Sequence, residues 1–593
     1  MRRRAAVMAA VIVAAAAGAP PAHAQYEDPI AKPPPTLERW RSLARDIAAP
    51  WPAIQRRSGM LPDYMDERYG SRYGDAMMGY GLVRTGLREG NRAMVRTGLR
   101  AVTFATRRPR VQSSFENFAV AATYNLARAH AADYADFRRV RAAWESWMRR
   151  SRTTRLHLPI PFGNHWLIDA LAVLELRRAG VRSGAGSAAS LRLARRLIDV
   201  RVPSRVSRGG ALLSDPPDEP MAYHGLSIGF YARALQLLGR SASDRSRTTL
   251  RRMVATAAQL TAPDGDTAYW GRSLQHVWSP AATAYAAEAA ALLPGTSRAE
   301  RAADRALAER TLARVAREYP IGARGQWIVP SLAQDFAAAR PSLEGYAGAP
   351  AMSGLALTML NWTLDGTRSG RSGSRLPADR SLARGFSHGR ARFAVVRRGR
   401  VWFAVKAAHA ERPYARDDLR YAFGLVSAKL RGPGGWFDLV PQRPPLGGRP
   451  PVTVGPVLLG RGGRAAGFPD GERLSIGRRG VVEVRGAYRT RGGRVVRRTA
   501  WRFSTVDCGV RLSFGARAGE RLALTAFFRA GRPELSAKSA SDGQQRVTVT
   551  PAPSSMSVAR RTLASARDAH LHRLEIRVRA SRAREVRVTF CGI

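Results

Sequence analysis

Two dipeptides, Asn164-His165 and Tyr223-His224, carry the side chains of this chain that are best suited to acid–base chemistry. Each stands where a loop rich in glycine or proline runs into a stretch with apolar residues at helical spacing. Loops that lead into helices at one rim of a helical scaffold are common positions for active sites. An amide, an imidazole and a phenol are the groups needed to remove a proton beside a carboxylate. We therefore expect proton abstraction from an acidic sugar.

The expected reaction divides the work among these residues. A uronic acid in a polysaccharide can be cleaved by removal of its C5 proton and loss of its C4 oxygen. Asn164 is a neutral donor that can bind the carboxylate and stabilise the developing enolate. His165 and His224 are candidate bases, because imidazole titrates near neutral pH. Tyr223 is a candidate acid, or a base if cationic neighbours lower its pKa.

Three further side chains are candidates for substrate binding: Trp166, Tyr269 and Arg272. The aromatic rings can form a platform for a sugar, and the guanidinium can hold a carboxylate or a sulfate. Simpler roles remain open for the same residues. Asn164 can be a helix N-cap, Trp166 can pack at the rim, and Arg272 can pair with Asp266.

The elements that must position these residues are first helical and then extended. From about residue 36 to 363 the chain has stretches of helical periodicity joined by short links, without a sequence repeat of fixed period, which suits helical hairpins arranged in a ring. Residues 365–385 are rich in Gly, Ser and Arg and are expected to be a linker. Beyond it the period becomes two, which predicts an antiparallel β-sandwich over 386–593. The predicted strands are Arg392–Arg397, Val401–Lys406, Val481–Arg485, Arg494–Phe503, Val510–Phe514, Leu574–Arg579 and Glu585–Phe590.

The N-terminus has the pattern of a secretory signal peptide over residues 1–24. Arg2–Arg4 supply its positive end, Ala5–Ala17 its short apolar stretch, and Ala24 ends an A-x-A cleavage site. No later apolar run reaches about 18 residues, so no membrane span is expected. We expect an exported protein that begins near Gln25.

The two cysteines, Cys508 and Cys591, both lie in the C-terminal region, and we expect them to pair in an oxidising compartment. Two buried free thiols are the alternative. Asp264-Gly265-Asp266 is interpreted as a turn, with a calcium site as the alternative. No histidine spacing typical of a metal site and no phosphate loop are found, so no cofactor is expected.

The charge of the chain is strongly positive, at +52 with 97 basic and 45 acidic residues among 593. Such a field concentrates a polyanion at the surface, and guanidinium groups suit carboxylate or sulfate. An anionic polysaccharide is therefore the expected partner. The arginines are spread along the whole chain, however, and a solvated basic face is the simpler interpretation. Nucleic acid fits less well, because basic and aromatic residues combine in no recognised motif.

The arrangement resembles the polysaccharide lyases built from a helical (α/α) toroid and an antiparallel β-sandwich, the heparinase, alginate-lyase and chondroitin/hyaluronate-lyase relatives. The resemblance rests on Asn164-His165, on Tyr223 59 positions after Asn164, and on the triplet around Arg272, which looks like the segment that supplies a substrate-binding arginine. It implies a toroid over 25–364 and a carbon–oxygen lyase in which Asn164 neutralises the carboxylate while His and Tyr share the base and acid roles.

The resemblance also implies a histidine delivered by the sandwich. His409, just after the predicted strand Val401–Lys406, is our match for it, and His388 is the second choice. In the chondroitin branch the tyrosine follows its histidine, whereas here Tyr223 precedes its neighbour. Tyr231 on the following helix is therefore the other candidate.

Two other functions compete with a lyase. Helical toroids also house glycoside hydrolases, which need two carboxylates at a fixed separation. A basic cell-envelope protein that binds an anionic glycan without turnover is the non-catalytic alternative. The carboxylates available to a hydrolase form no telling pair in the sequence; they are Asp63, Asp66, Asp169, Asp335 and Glu344.

Overall fold

A computed structural model of the chain describes residues 37–63, 73–107, 113–130, 132–151, 162–215, 219–273, 276–318, 348–366, 375–388, 391–408, 419–441, 455–560, 562 and 571–593. The first part of this range is helical, and the second part consists of antiparallel strands. The predicted order, a helical domain followed by an antiparallel β domain, is confirmed.

The helices form two concentric sets. In chain order they are α1 (Leu37–Ala48), α2 (Trp51–Ile54), α3 (Gly74–Arg88), α4 (Arg92–Thr106), α5 (Ser114–Ala129), α6 (Ala135–Arg149), α7 (Gly163–Ala179), α8 (Ala188–Arg196), α9 (Val202–Arg205), α10 (Met221–Leu238), α11 (Asp244–Gln259), α12 (Trp278–Ala291), α13 (Arg298–Glu318) and α14 (Ala349–Gly366). A π-helical turn, Leu197–Arg201, joins α8 to α9. Helices α3, α5, α7, α10, α12 and α14 each pack against the next, and α14 packs against α3, so these inner helices close a ring.

The composition of each helix explains whether it is inner or outer. Every residue of α12 is buried, and so are the first fifteen residues of α14. Helices that are apolar all round lie inside a fold, whereas a single apolar stripe suits a surface helix. In α6, an outer helix, the buried residues are only Phe137, Trp144, Trp147 and Met148. The ring of inner helices is therefore a direct consequence of their Ala-, Gly- and Leu-rich sequences.

Local capping signals fix where several helices begin and end. Ser113 and Glu116 form a capping box at the start of α5, in which each side chain accepts a hydrogen bond from the backbone N–H of the other residue. Helix α7 ends at Gly180, which adopts φ = +73°. These signals hold the loops between helices at the two ends of the ring.

The strands form two antiparallel sheets. The first sheet has the order β1-β2-β3-β4-β5, and the second has the order β12-β13-β14-β17-β10-β9-β8-β7-β6-β11-β16-β15. The first sheet contains β1 (Leu382–His388), β2 (Ala391–Arg398), β3 (Val401–Lys406), β4 (Gly424–Gly432) and β5 (Gly435–Val440). The second contains β6 (Val457–Leu459), β7 (Ala465–Ile476), β8 (Val482–Arg489), β9 (Val495–Val506), β10 (Gly509–Ala516), β11 (Arg521–Phe528), β12 (Glu534–Leu535), β13 (Ser539–Ser541), β14 (Gln545–Thr550), β15 (Ser555–Val558), β16 (His572–Arg579) and β17 (Arg584–Gly592).

The five-stranded sheet lies between the helical domain and the larger sheet. Because side chains alternate across a strand, neighbouring residues of β3 face opposite layers. Trp402 packs in the core of the helical domain, and Phe403 packs in the core shared with the larger sheet. All six residues of β3 are buried for this reason.

A buried ionic cluster joins the two domains. The Lys429 ammonium on β4 lies 2.9 Å from Asp264, 3.0 Å from Asp266 and 2.5 Å from Asp438. Arg314 of α13 also pairs with Asp264. Although burial lowers the pKa of Lys429, the three carboxylates raise it above its usual value. The segment Asp264-Gly265-Asp266 is thus a turn, with φ = +86° at its glycine, and its carboxylates bind protein cations.

Cys508 and Cys591 form a disulfide that closes a loop of 83 residues within the larger sheet. Cys508 lies in the turn between β9 and β10, and Cys591 lies on β17, which pairs with β10. Among the described helices, none is both long enough and apolar enough to cross a lipid bilayer.

Candidate functional site

Helix α7 begins against the loop that precedes α10. The Gly163 N–H donates a hydrogen bond to the Ser214 carbonyl at 3.0 Å. A Cβ atom at Gly163 would lie 2.3 Å from the Leu213 side chain, so a larger residue would have to displace Leu213. The start of α7, with Asn164 and His165, is therefore held beside the loop that leads to Tyr223.

Arg272 is the centre of the site. Its guanidinium binds the Asp215 carboxylate at 2.6 Å. The same group lies 4.3 Å from the centroid of the Tyr223 ring and 5.2 Å from that of Phe162, both within cation–π range. Arg272 thus brings together the start of α7, the start of α10 and the loop between them.

The β domain completes this cluster. The Gly271 N–H donates to the Arg420 carbonyl at 2.9 Å, and the Arg272 N–H donates to the Tyr421 hydroxyl at 3.0 Å. Gly271 has φ = +78°, and a Cβ atom there would lie 2.8 Å from Pro220. A glycine is required at this point for the arginine to reach both domains.

Tyr223 is half-buried, with its phenol in a polar setting. The Ser273 hydroxyl donates to the Tyr223 oxygen at 3.4 Å, and the indole of Trp278 meets the Tyr223 ring edge-on at 5.5 Å. Burial, and to a lesser extent the neighbouring Tyr223, raise the pKa of Tyr73 above its usual value. The Tyr223 hydroxyl therefore has the Ser273 hydroxyl as a neighbour, and the Tyr223 ring faces a cation.

Asn164 lies within the first turn of α7 and is 2% exposed. The N-cap of that helix is Phe162, so the N-cap interpretation of Asn164 is wrong. The Asn164 Oδ1 atom is buried without a hydrogen-bond partner in the described part of the chain. A buried amide atom without a partner is costly, and this side chain therefore has unused hydrogen-bonding capacity.

His165, the next residue, is half-buried at the same rim. Its ring meets Phe115 edge-on at 6.3 Å and lies 5.8 Å from Phe162. Phe115 in turn stacks on Tyr73 at 4.6 Å. A continuous set of ring contacts therefore links His165 with the Arg272 and Tyr223 pair through Phe162.

Backbone strain concentrates around this cluster. Among the described residues, only three besides glycine have positive φ: Ala211 at +44°, Glu219 at +46° and Ser273 at +63°. Ala211 and Ser273 lie in the loops that carry Asp215 and Arg272, and Glu219 lies just before α10. Strained backbone of this kind is common at functional sites, where the surrounding structure must hold it in place.

Burial shifts the titration of three groups near the cluster. It raises the pKa of the Asp215 carboxyl to about 7, although the Arg272 guanidinium opposes this. It lowers the pKa of the Arg420 guanidinium to about 10 and that of His276 to about 3, and the Arg420 charge adds to the effect on His276. His276, which stacks on Trp278 at 5.9 Å, is therefore neutral at ordinary pH.

Four of the predicted site residues are directed into the protein core. The His224 ring donates a hydrogen bond from Nε2 to the Met253 carbonyl of α11 at 3.1 Å and is 2% exposed. The Tyr231 hydroxyl donates to the Ile198 carbonyl at 3.0 Å, and burial raises its pKa. These two side chains follow the face of α10 that packs against the outer helices, so they do not line the cluster.

The two predicted aromatic platforms are buried as well. Trp166 is 1% exposed and lies under the Arg201 guanidinium, at 4.5 Å. Tyr269 is 9% exposed, and burial raises its pKa. Neither ring presents a face to a sugar, because both side chains are buried. The side chains at the cluster that are partly exposed instead include Phe162, Tyr223 and Arg272.

The histidine expected from the sandwich, His409, lies outside the described residues. His388 ends β1, and its side chain is also outside the description. Of the carboxylates considered for a hydrolase, Asp169 accepts a hydrogen bond from Ser114 in the core, and Asp63 is buried. The remaining three, Asp66, Asp335 and Glu344, lie outside the described residues.

Asp215, Arg420 and Tyr421 were not predicted from the sequence. Asp215 begins the proline-rich loop before α10, and that position was its only signal in the sequence, because 57 residues separate it from Arg272. Arg420 and Tyr421 gave none, because Tyr421 meets Arg272 across 149 residues of sequence. Only the packing of the β domain on the helical ring brings them together.

Comparisons with known proteins agree with this architecture. No protein-family model matches the chain, and no curated protein sequence does. Among solved structures, chondroitin AC lyase of Streptomyces coelicolor A3 in complex with chondroitin sulphate is 15% identical, with a TM-score of 0.53 over 97% of this chain and 80% of that one. A mutant of the same lyase gives a TM-score of 0.52 over the same shares of both chains, also at 15% identity. The chain thus has the fold of the polysaccharide lyases that combine a helical toroid with a β domain, as the sequence resemblance predicted.

Proposed function

We propose that this protein is a polysaccharide lyase that cleaves a uronate-containing anionic polysaccharide by β-elimination. The observation that carries the proposal is the convergence of three distant segments on one guanidinium. Arg272 contacts Phe162, two residues before Asn164, and also covers the ring of Tyr223. An amide with open hydrogen-bonding capacity, a phenol and a cation at one rim are the groups this elimination needs.

Asn164 and Arg272 would stabilise the acidic sugar. The amide donates to the uronate carboxylate and strengthens that bond as negative charge moves onto it in the enolate-like transition state. The guanidinium, held in place by Asp215 at 2.6 Å, attracts the same charge. Because both groups are fixed before substrate arrives, little reorganisation is needed during the reaction.

Tyr223 would move the proton. Its phenolate oxygen takes the C5 proton, the C5–H electrons form the C4=C5 double bond, and the C4–O bond breaks. The phenol then returns the proton to the departing oxygen, so that no water is consumed. His224 cannot share this work, because its ring binds the Met253 carbonyl in the core. His165 remains the alternative base, since it lies at the same rim.

The test is a panel of alginate, hyaluronan, chondroitin sulfate and heparan sulfate, assayed for the ultraviolet absorbance of unsaturated uronate. We expect one or more glycans to give this absorbance and Asn164→Ala to abolish most of it. Asn91→Ala is the control, because Asn91 is a helix N-cap on α4, an outer helix. New reducing ends without absorbance would indicate a hydrolase, and binding without turnover would indicate a non-catalytic glycan-binding protein.

We further propose that the protein is exported after removal of residues 1–24. This proposal rests on the basic, apolar and A-x-A segments of the N-terminus, and an extracellular polymer is consistent with it. N-terminal sequencing of the protein recovered from its native host should give Gln25 as the first residue. An intact N-terminus on the mature protein would contradict the proposal.

A further inference from the structure

Two cavities adjoin the candidate site on the outer side of the helical domain. The first, of about 390 Å³, is lined by the 204–209 segment, by Ser214 and by Ser387 of β1. The second, of about 640 Å³, lies between the same segment and helix α11. Ser204, Val206 and Arg208 line both, so the two cavities are neighbours along one surface. We call this surface the arginine groove, and its arginines are Arg205, Arg208, Arg245 and Arg252.

The groove carries an excess of positive charge. Asp244 is the one carboxylate among the residues that line the two cavities, and it pairs with Arg247 at 2.7 Å. Within the part of the chain that the structure describes, no carboxylate pairs with Arg208, Arg245 or Arg252; the Arg252 guanidinium donates only to the Ser207 carbonyl, at 3.3 Å. A concave surface lined by guanidinium and hydroxyl groups is suited to binding an anion from outside the protein.

The inner end of the groove meets the candidate site. Ser214, which lines the first cavity, is followed by Asp215, the residue that binds Arg272. The floor is fixed by a contact between the domains, because the Ser387 N–H donates to the Gly209 carbonyl at 3.4 Å. A polymer that is cleaved beside Arg272 must continue over the surface on at least one side, and the groove is a basic path that starts there.

We propose that the arginine groove binds sugar units of the substrate polymer beyond the point of cleavage, through their carboxylate or sulfate groups. Guanidinium groups bind either anion with paired hydrogen bonds, so the chemistry fits both. That the polymer bound in the groove is the substrate of the enzyme rests on the proposed function. The groove itself rests on its shape and charge, and it lies outside the acid–base machinery.

The test compares two triple variants of the full chain, both in a Tyr223→Phe background that slows turnover. One is Arg208→Gln/Arg245→Gln/Arg252→Gln. The matched control removes the same charge from exposed arginines of the β domain and is Arg532→Gln/Arg546→Gln/Arg582→Gln. The probes are long-chain chondroitin sulfate, long-chain hyaluronan and a chondroitin sulfate tetrasaccharide, with affinity measured by calorimetry at a fixed, low salt concentration.

The groove variant should bind the long chains about tenfold more weakly, as expected for the loss of three ion contacts, and the control should change by less than about twofold. The tetrasaccharide should bind both variants alike. An effect with chondroitin sulfate alone would assign the groove to sulfate, and an effect with both polymers would assign it to carboxylate. Equal losses in the two variants, or no loss in either, would overturn the proposal. If wild-type protein cleaves no glycan, the proposed lyase function fails, whereas the affinity comparison still decides the role of the groove.

Discussion

Two tyrosines of helix α10, Tyr223 and Tyr231, give a matched pair of substitutions that separates catalysis from stability. Tyr223 is half-buried beside the Arg272 guanidinium, whereas the Tyr231 hydroxyl is buried and donates to the Ile198 carbonyl at 3.0 Å. Each is changed to Phe, so that a single oxygen is lost from the same helix. We expect Tyr223→Phe to lose activity with little change in stability, and Tyr231→Phe to lose stability and keep activity.

The contacts of each hydroxyl set the expected magnitudes. Tyr231→Phe loses one buried hydrogen bond, but the Ile198 carbonyl still accepts from Ser246 at 3.2 Å, so the free energy of unfolding should fall by about 1 kcal/mol. Tyr223→Phe loses a long contact with Ser273, at 3.4 Å, and should change stability by less than about 0.5 kcal/mol. General acid–base catalysis contributes about 10²–10⁴ in rate, so kcat should fall by that factor, or about 3–5 kcal/mol in the barrier.

The assay measures product absorbance at saturating polymer and urea unfolding of each variant. His165→Gln is measured alongside, because it should retain most of the activity if Tyr223 moves the proton alone. The reasoning is refuted if Tyr223→Phe keeps near-wild-type kcat while folded, or if Tyr231→Phe loses kcat by two orders of magnitude without unfolding.

Three further predictions concern the groups that hold the site in place. Asp215→Asn removes the carboxylate that binds Arg272, so kcat/KM should fall at least about tenfold. Because burial raises the pKa of this carboxyl to about 7, its contribution to stability is complete below about pH 4 and is lost as pH rises through about 7. In urea titrations, the unfolding free energy of wild type relative to the variant should therefore decrease between these two pH values. Gly271→Ala forces a side chain into a φ of +78° and against Pro220, and should cost about 2 kcal/mol in the same assay; an unchanged midpoint would contradict the need for glycine. Lys429→Met removes the ammonium that contacts three buried carboxylates, and Arg314 and Arg529 are the cations that still pair with them. The loss should cost about 3–5 kcal/mol at neutral pH, which calorimetric unfolding would detect. A smaller loss is expected at pH 4, where carboxylates begin to protonate, and equal losses at both pH values would argue against the ionic cause.

Much of the fold could be predicted because its signals are local. The apolar periodicity of helices such as α4 and α8 lies within single stretches of chain, and the predicted strands overlap β2, β3, β8, β9, β10, β16 and β17. Strands β4 and β5 were missed, because a sheet packed on both faces buries nearly every residue and loses the alternation that marks a strand. Burial on both sides is a property of the layer arrangement, which no single stretch of sequence reveals.

The candidate site was less accessible to sequence reasoning. Asn164, Tyr223 and Arg272 were identified by residue type and by their positions beside glycine and proline, and the start of α7, the start of α10 and the loop around Arg272 do meet through Phe162. His224 was placed in the same group because its imidazole titrates near neutral pH and because it stands beside Tyr223 at the start of the same helix. One helical step rotates a side chain by about 100°, and that rotation points His224 into the core.

By itself, the sequence determined the class of those elements that carry a local periodicity, the order of the two domains and the positions where loops meet helix starts, since these depend on periodicity, capping and turn chemistry. The tertiary structure alone decided which face of each helix looks toward the cluster, that Asp215 anchors Arg272, and that Tyr421 joins them from the β domain. Such contacts depend on how helices and sheets rotate against one another in packing, and residues 149 positions apart leave no mark of that rotation in the local sequence.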